Sequence, residues 1–216
     1  MREAAAAEFQ AVRHPPEVVI VAQAQQPLVL EDRHTGERLE LRRVLIDGEM
    51  CLELRGSLPP HSEGPPLHIH YAEHEGGAVR QGTLTAVVDG RRIQAGVGEP
   101  VELPKGSKHR WWNEGDEALE FVGYARPLVD LDRYLQAVFE VLNAGPPGRP
   151  PLIYMAHVML RHRGTQTVLV APRPIQAVLF RLAFVVGSIT GRYRGVDWPG
   201  CPARCTGAPL MVPEDA

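Results

Sequence analysis

The residues in this chain whose types and spacing best suit chemistry are histidines. His68-Ile69-His70 is followed closely by Glu73, His74 and Glu75. On an extended strand, side chains two residues apart share a face. His68 and His70 therefore point together, separated by about 6.6–6.8 Å along the strand. Two imidazoles on one face with a carboxylate close behind can form a first coordination shell for a divalent ion. A second compact group lies downstream: Gly98, then Pro104-Lys105-Gly106-Ser107-Lys108-His109, then Asn113.

The two groups together resemble the motifs of the cupin superfamily. Its second motif runs Gly, five residues, Pro-x-Gly, two residues, His, three residues, Asn; Gly98, Pro104, Gly106, His109 and Asn113 meet every fixed position. Its first motif runs His-x-His, three or four residues, Glu, six residues, Gly, and is met by His68, His70, Glu75 and Gly82. One position departs: the glycine expected ahead of the first histidine is Ser62, with Gly64 two residues later. The resemblance implies a mainly β fold, the cupin double-stranded β-helix or jelly-roll barrel. It also implies that His68, His70, Glu75 and His109 hold one divalent metal ion near one mouth of that barrel. Imidazole-rich sites suit Fe, Mn, Ni, Cu or Zn, so the donor set does not choose the metal. Glu73 misses the motif spacing, which favours Glu75. His74 is expected to face solvent, His61 to lie at the surface, and His157 and His162 to be packing or surface residues.

Strand parity predicts the walls of a substrate pocket beside the metal. Counting in twos from Glu75 puts Gly77, Val79 and Gln81 on the inward face. Gly77 stands where many cupins carry an aromatic residue and is expected to leave space. Counting from His109 puts Trp111 inward and Trp112 outward, the latter under the helical region or at a subunit contact. A roomy, apolar and aromatic pocket, with Gln81 as its neutral polar group, suits a small organic substrate of limited charge.

The elements that must position these residues show as a change of texture. Residues 28–127 are short β-type runs separated by turn residues, the pattern of an antiparallel barrel or jelly roll. Asp47-Gly48 and Asp89-Gly90 are strong two-residue hairpin signals. After Pro127 the period changes: Leu128, Leu131, Leu135, Val138, Phe139 and Leu142 recur at helical steps and stop at the Asn143-Ala144-Gly145-Pro146-Pro147 breaker. A second apolar helical run covers 152–160, and Pro174 opens a third through Gly187 or beyond. The expected organisation is an N-terminal arm (1–27), a single cupin β-barrel (28–127), and a small α-helical extension with a Pro/Gly-rich tail (128–216). The apolar faces of the helices are expected to pack on the barrel's outer sheet and to contribute to a homodimer, since large exposed apolar patches are uncommon in soluble monomers.

Composition narrows the function classes. A net charge of −3 with mixed signs and no clustered basic face argues against a nucleic-acid or anionic-membrane partner. The apolar run 175–189 is interrupted by Arg181 and is shorter than the ~20 residues that a spanning helix needs. Cys51, Cys201 and Cys205, in a chain whose first residues lack a signal-peptide apolar region, read as free thiols of a cytoplasmic protein. The expected function is that of a mononuclear non-haem metal oxygenase acting on a small organic substrate. A redox-neutral isomerase or cyclase, or a non-catalytic ligand-binding or sensing module, is compatible with the same four ligands. No general acid or base is identified beyond the ligands.

Overall fold

The computed structural model describes residues 26–194. Most of the expected arm, and the tail with Cys201 and Cys205, lie outside the described residues. Ten strands come first: β1 (Leu28–Glu31), β2 (Arg38–Ile46), β3 (Glu49–Leu58), β4 (His68–His70), β5 (His74–Gln81), β6 (Leu84–Val88), β7 (Arg91–Ala95), β8 (Pro100–Leu103), β9 (His109–Trp112) and β10 (Leu119–Arg126). Helices α1 (Leu131–Ala144) and α2 (Leu152–Arg161), a short β11 (Gln166–Val168) and helix α3 (Arg173–Ile189) follow. The strands form two antiparallel sheets, ordered β1-β2-β3-β10-β5-β8 and β11-β4-β9-β6-β7. Both Asp-Gly pairs turn as expected. Backbone φ is positive at each residue, 52° and 81° at Asp47-Gly48 and 48° and 82° at Asp89-Gly90, the type I′ geometry that matches strand twist.

Register decides which side chains face inward. Leu52, Ala125, Glu75 and Leu103 form one cross-strand row of the larger sheet, and Leu54, Gly123, Gly77 and Val101 form the next. Beyond them Leu58, Val79, Leu84, Ala86 and Leu119 close a dry core, with Trp111 and Phe121 packed against it. Full burial of side chains this size contributes about 1.5–3 kcal/mol each for the larger ones.

The helices do not lie on the barrel's outer sheet, contrary to expectation. Leu131, Tyr134 and Phe139 of α1 join one apolar cluster with Leu30, Leu39, Leu41 and Leu52, whose parity is that of the inward face. The strands carry their inward apolar rows past the closed core, and α1 covers that surface at the mouth. Arg43, on the same face, donates from Nε and Nη2 to Asp132 at 2.8 and 2.6 Å and pins the first turn of α1.

β11 is absent from the sequence expectation, because a three-residue strand between helices has no periodicity of its own. It pairs antiparallel with β4, Gln166 opposite His70 and Val168 opposite His68. Flanking bonds extend the ladder: Tyr71 N–H donates to the Thr165 carbonyl and Leu169 N–H to the Leu67 carbonyl, both at 2.7 Å. Buried Gln176 of α3 holds the same segment, donating to the Val168 carbonyl (2.7 Å) and accepting from Val170 N–H (3.1 Å).

α3 packs along α2 and leaves its far side bare. Ile175, Val178, Leu179, Leu182, Val185, Val186 and Ile189 are between 49% and 80% exposed. Among the described residues, no helix is long and apolar enough to cross a membrane.

A chain ending at Pro127 would lose both α1 and β11, baring Leu39, Leu41 and Leu52 and the edge of β4. It is expected to aggregate or to unfold without a cooperative urea transition. A soluble product with a sharp transition would contradict this account of the helices.

Candidate metal centre

Two short strands and two turns bring the polar residues together. β4 supplies His68 and His70 and pairs with β9 at His68 opposite His109. The loop before β9 is a tight turn in which Ser107 N–H donates to the Pro104 carbonyl at 2.9 Å and Gly106 adopts φ 82°. That conformation favours glycine at the third turn position. Gly106 N–H also donates to the His70 carbonyl at 2.8 Å, which ties the loop carrying His109 to the strand carrying His70. Buried Asn113 anchors the other end of β9, its Nδ2 donating to the Pro59 and Glu117 carbonyls at 2.9 and 2.8 Å. Glu75 comes from β5 in the opposite sheet, on the inward row.

One ligand-capable atom from each of His68, His70, Glu75 and His109 lies within 4.8 Å of the others. Donor atoms about 2.0–2.2 Å from one ion stand roughly 3–4 Å apart, so a small contraction closes this cluster on a divalent metal. Glu75 Oε2 is 3.5 Å from His70 Nε2 and 3.4 Å from His109 Nε2. His109 Nε2 is fully buried with no hydrogen-bond partner, as a nitrogen reserved for a metal would be.

The second ring nitrogens of His109 and His68 fix the tautomers of those two rings, while His70 Nδ1 has no partner. Ser107 Oγ–H donates to the Pro104 carbonyl at 2.6 Å, so its oxygen accepts from His109 Nδ1–H at 3.2 Å. His68 Nδ1–H donates to the Pro66 carbonyl at 2.8 Å. Both rings thus keep the Nε2 lone pair free. Burial pushes His68 down to about 3, and His70 and His109 push the same way. Burial likewise lowers His70. Burial would raise Glu75, but His70, His109 and His68 outweigh it and hold the carboxyl at about 2. At neutral pH His68 and His70 are therefore neutral and Glu75 ionised, the state that metal ligation requires.

The neighbouring candidates separate cleanly. Glu73 is fully buried but turns away to the start of α1, accepting the N–H groups of Val129 and Asp130 at 3.3 Å. His74 faces outward and pairs with Glu102 at 2.6 Å, while exposed His61 pairs with Asp116 at 3.1 Å. His157 and His162 are buried packing residues. His162 Nδ1 donates to Asp130 at 2.6 Å, and Gln166 Nε2 donates to the same carboxylate at 3.2 Å.

Beside the cluster lies a cavity of about 560 Å³, with Gly77, Val79 and Trp111 in its wall. Gln81 is a correction. It is exposed and stands outside the cavity wall, because a β-bulge intervenes where Val79 faces Phe121 but Gln81 faces Glu120. One extra residue in β5 reverses the parity beyond Val79. Gly77 is a second correction: it leaves no free space. A Cβ there would stand 2.4 Å from the Val122 carbonyl oxygen and 2.7 Å from Gly123 Cα, so glycine admits the close approach of β10. Trp112 points outward as expected but does not pack in the apolar cluster that holds the three helices. Its ring is covered by Arg110 and Arg92, whose guanidinium carbons are 4.8 and 5.6 Å from the centroid. The sequence reading missed the helical half of the cavity wall, which includes Tyr134, Phe139, Met155, Met159 and Phe180. Their helical spacing signals an apolar face, without saying that the face lines a cavity.

Residues 54–124 match the family model described as a cupin domain. The oxidoreductase iacF of Pestalotiopsis fici is 39% identical over 79 residues, covering 35% of this chain and 39% of that protein. The probable oxidoreductase virH of Hypocrea virens is 34% identical over 67 residues, covering 30% of this chain and 31% of that protein. The chain thus spans well under half the length of either relative. Among solved structures, a protein described as a predicted oxalate decarboxylase from Thermotoga maritima is 22% identical, with a TM-score of 0.39 over 51% of this chain and 99% of that one. A sugar phosphate isomerase from Silicibacter pomeroyi is 18% identical, with a TM-score of 0.36 over 42% of this chain and 59% of that one.

Removal of a donor should empty the cluster. His109→Ala and Glu75→Gln are expected to strip metal from the purified protein, and Ser107→Ala to weaken retention about 10–100-fold. Glu73→Gln should retain metal. Burial raises the Glu73 carboxyl from an ordinary 4.5 to about 7. The wild type therefore loses stability as pH climbs through that interval, and the glutamine variant should lose none of it. Metal analysis and urea midpoints across pH check both; full occupancy in the His109 variant would overturn the four-ligand centre.

Proposed function

We propose that this chain, which carries a cupin domain over residues 54–124, is a mononuclear non-haem metal oxygenase acting on a small organic substrate. The observation that carries the reading is the convergence of three imidazoles and one carboxylate beside an apolar cavity of about 560 Å³. Four protein donors leave coordination positions for a substrate and a second small molecule. A redox-active ion at this site would supply electron transfer between substrate and dioxygen. The chain's own residues do the rest. Ser107 and Pro66 hold the rings of His109 and His68 in the ligating tautomer. Glu75 contributes the single negative charge, so a divalent ion would keep a net positive charge toward the cavity. Val79, Trp111 and Phe121 keep that side of the cavity dry; Trp111 and Phe121 pack edge to face at 4.9 Å. The names of the two curated relatives support oxidoreductase chemistry.

A redox-neutral isomerase or cyclase, with the metal acting as a Lewis acid, uses the same ligands, and a binding or sensing cupin needs no turnover at all. The proposed setting is the cytoplasm, and the proposed assembly is a homodimer, supported by the bare face of α3.

Oxygen-electrode assays of Fe-, Mn-, Ni-, Cu- and Zn-loaded protein against small aromatic and 1,3-dicarbonyl compounds separate these readings. Oxygen uptake with a redox metal and none with Zn is the expected result, because Zn is redox-inert. Conversion with Zn and no oxygen uptake would move the assignment to isomerase or cyclase. Tight binding without conversion under every metal would leave a binding module.

A further inference from the structure

On the reading that this cavity holds the substrate, we infer that the substrate is uncharged and largely apolar, and that the Tyr134 hydroxyl donates a hydrogen bond to its acceptor oxygen. The wall of the cavity carries the first half of the argument. Among the described residues that line it there is no Lys or Arg, and its carboxyl groups besides that of Glu75 are those of Asp32, Glu37 and Glu63. A carboxylate or phosphate away from the cluster would meet these acidic groups and no lysine or arginine, which costs affinity rather than adding it. The remaining wall is mostly aromatic, aliphatic and thioether, with His34, Thr35 and Ser62 as polar members outside the cluster. Met155 and Met159 stand beside Phe139 and Phe180, a surface that adapts to varied apolar shapes.

Tyr134 carries the second half. It sits on the inner side of α1, 9% exposed, in the cavity wall. Its hydroxyl contacts Met159 Sδ at 3.9 Å. A thioether is a weak acceptor, and buried tyrosine hydroxyls ordinarily reach a stronger one. Burial, then the negative charges of Asp130 and Glu75, raise its ionisation point, so the group stays a neutral donor. Tyr134 and Glu75 line the same cavity, so the ring and the cluster face one space. A substrate oxygen entering here would replace a poor acceptor with a good one, while its apolar body filled the helical half of the cavity.

Fluorescence titration of metal-free protein tests this without any turnover. The probes are prodan (neutral, with a ketone oxygen), N-phenyl-1-naphthylamine (neutral, without one) and 1-anilinonaphthalene-8-sulfonate (an anion). Both neutral probes are expected to bind at least about tenfold more tightly than the anion. Tyr134→Phe should weaken prodan about tenfold, one hydrogen bond's worth, and leave N-phenyl-1-naphthylamine unchanged. Equal or tighter binding of the anion overturns the substrate class. Unchanged prodan affinity in Tyr134→Phe overturns the role of Tyr134. Failure of oxygen uptake alone touches neither result.

The bare face of α3 independently carries a second inference: we propose that α3 pairs antiparallel with α3 of a second copy about a two-fold axis at Leu182. The exposed apolar residues are symmetric about that position, at offsets of three, four and seven residues in each direction: Leu179 and Val185, Val178 and Val186, Ile175 and Ile189. A two-fold interface demands such self-complementarity, since residue i meets j while j meets i. Half-exposed Val, Leu and Ile side chains each offer on the order of 100 Å² of apolar surface, so the stripe approaches the ~800 Å² per partner of a stable interface. Helix axes ~8–10 Å apart, with Cα atoms ~2.3 Å from each axis, would bring the two Leu182 Cα atoms roughly 3.4–5.4 Å apart, which overlaps the disulfide range. In a Cys201→Ser, Cys205→Ser background, Leu182→Cys is expected to cross-link to itself on mild oxidation. Val178→Cys should cross-link to a Val186→Cys chain far faster than to itself. The parent should run as a dimer in light scattering, and Leu182→Glu as a monomer. A monomeric parent, or a Leu182→Cys chain that does not cross-link, overturns the pairing.

Discussion

Three imidazoles and a carboxylate held inside an otherwise apolar barrel are the constraint from which the rest of the structure follows. Each buried polar atom without a partner costs on the order of 1–3 kcal/mol. The fold meets that cost in part by committing backbone carbonyls and one hydroxyl to the far side of the cluster. The Pro66 carbonyl accepts from His68 Nδ1–H, and Ser107 Oγ, itself donating to Pro104, accepts from His109 Nδ1–H. The Pro104–Ser107 turn also hands its Gly106 N–H to the His70 carbonyl. A single small loop therefore orients one ligand and braces the strand that bears two others. The price of this compactness is electrostatic: with His68 pushed to about 3, the cluster resists protonation and stays receptive to a cation.

Behind this cluster a second buried polar group joins barrel to helices. Asp130, just ahead of α1, accepts from His162 at the end of α2 and from Gln166 of β11. Burial would raise its carboxyl, but His162 and the other donors outweigh it and hold it below the ordinary value. Gln166 in turn stands opposite His70 in the sheet. Helix start, helix end and added strand thus meet at one carboxylate immediately behind a ligand strand. Breaking one member would leave a buried charge unpaired, a far larger penalty than the net worth of the bond. The helices are mechanically continuous with the site.

The legible part of this site is the part made by local backbone geometry. Gly106, His109 and Asn113 could be read because a tight turn, a ligand and an anchor each need a particular residue type at a fixed spacing. The Asp-Gly hairpins were legible for the same reason. Gln81 was misplaced because a bulge inserts one residue without any sequence mark, and every parity count beyond it then inverts. Gly77 was misread because a missing side chain does not say whether the space belongs to a ligand or to the neighbouring strand; here Val122 and Gly123 fill it. Tyr134 and Met159 carried a helical period and nothing more. Which surface a helix covers is decided by long-range packing against Leu39, Leu41 and Leu52, more than seventy residues earlier in the chain.

That division has a consequence for what relatives can teach about the chain. The segment matching the cupin domain, residues 54–124, contains all four members of the cluster and the strands that hold them. The residues that shape the other half of the cavity, Tyr134, Phe139, Met155, Met159 and Phe180, all lie beyond it. Reactivity at the cluster is set by donor type and count, and these four donors lie within the matched segment. Selection among substrates is set by volume, charge and hydrogen-bond donors along the wall, which here come largely from the helices. The barrel match thus bears on the cluster and on the chemistry proposed for it, while the proposed substrate must be sought from α1, α2 and α3 themselves.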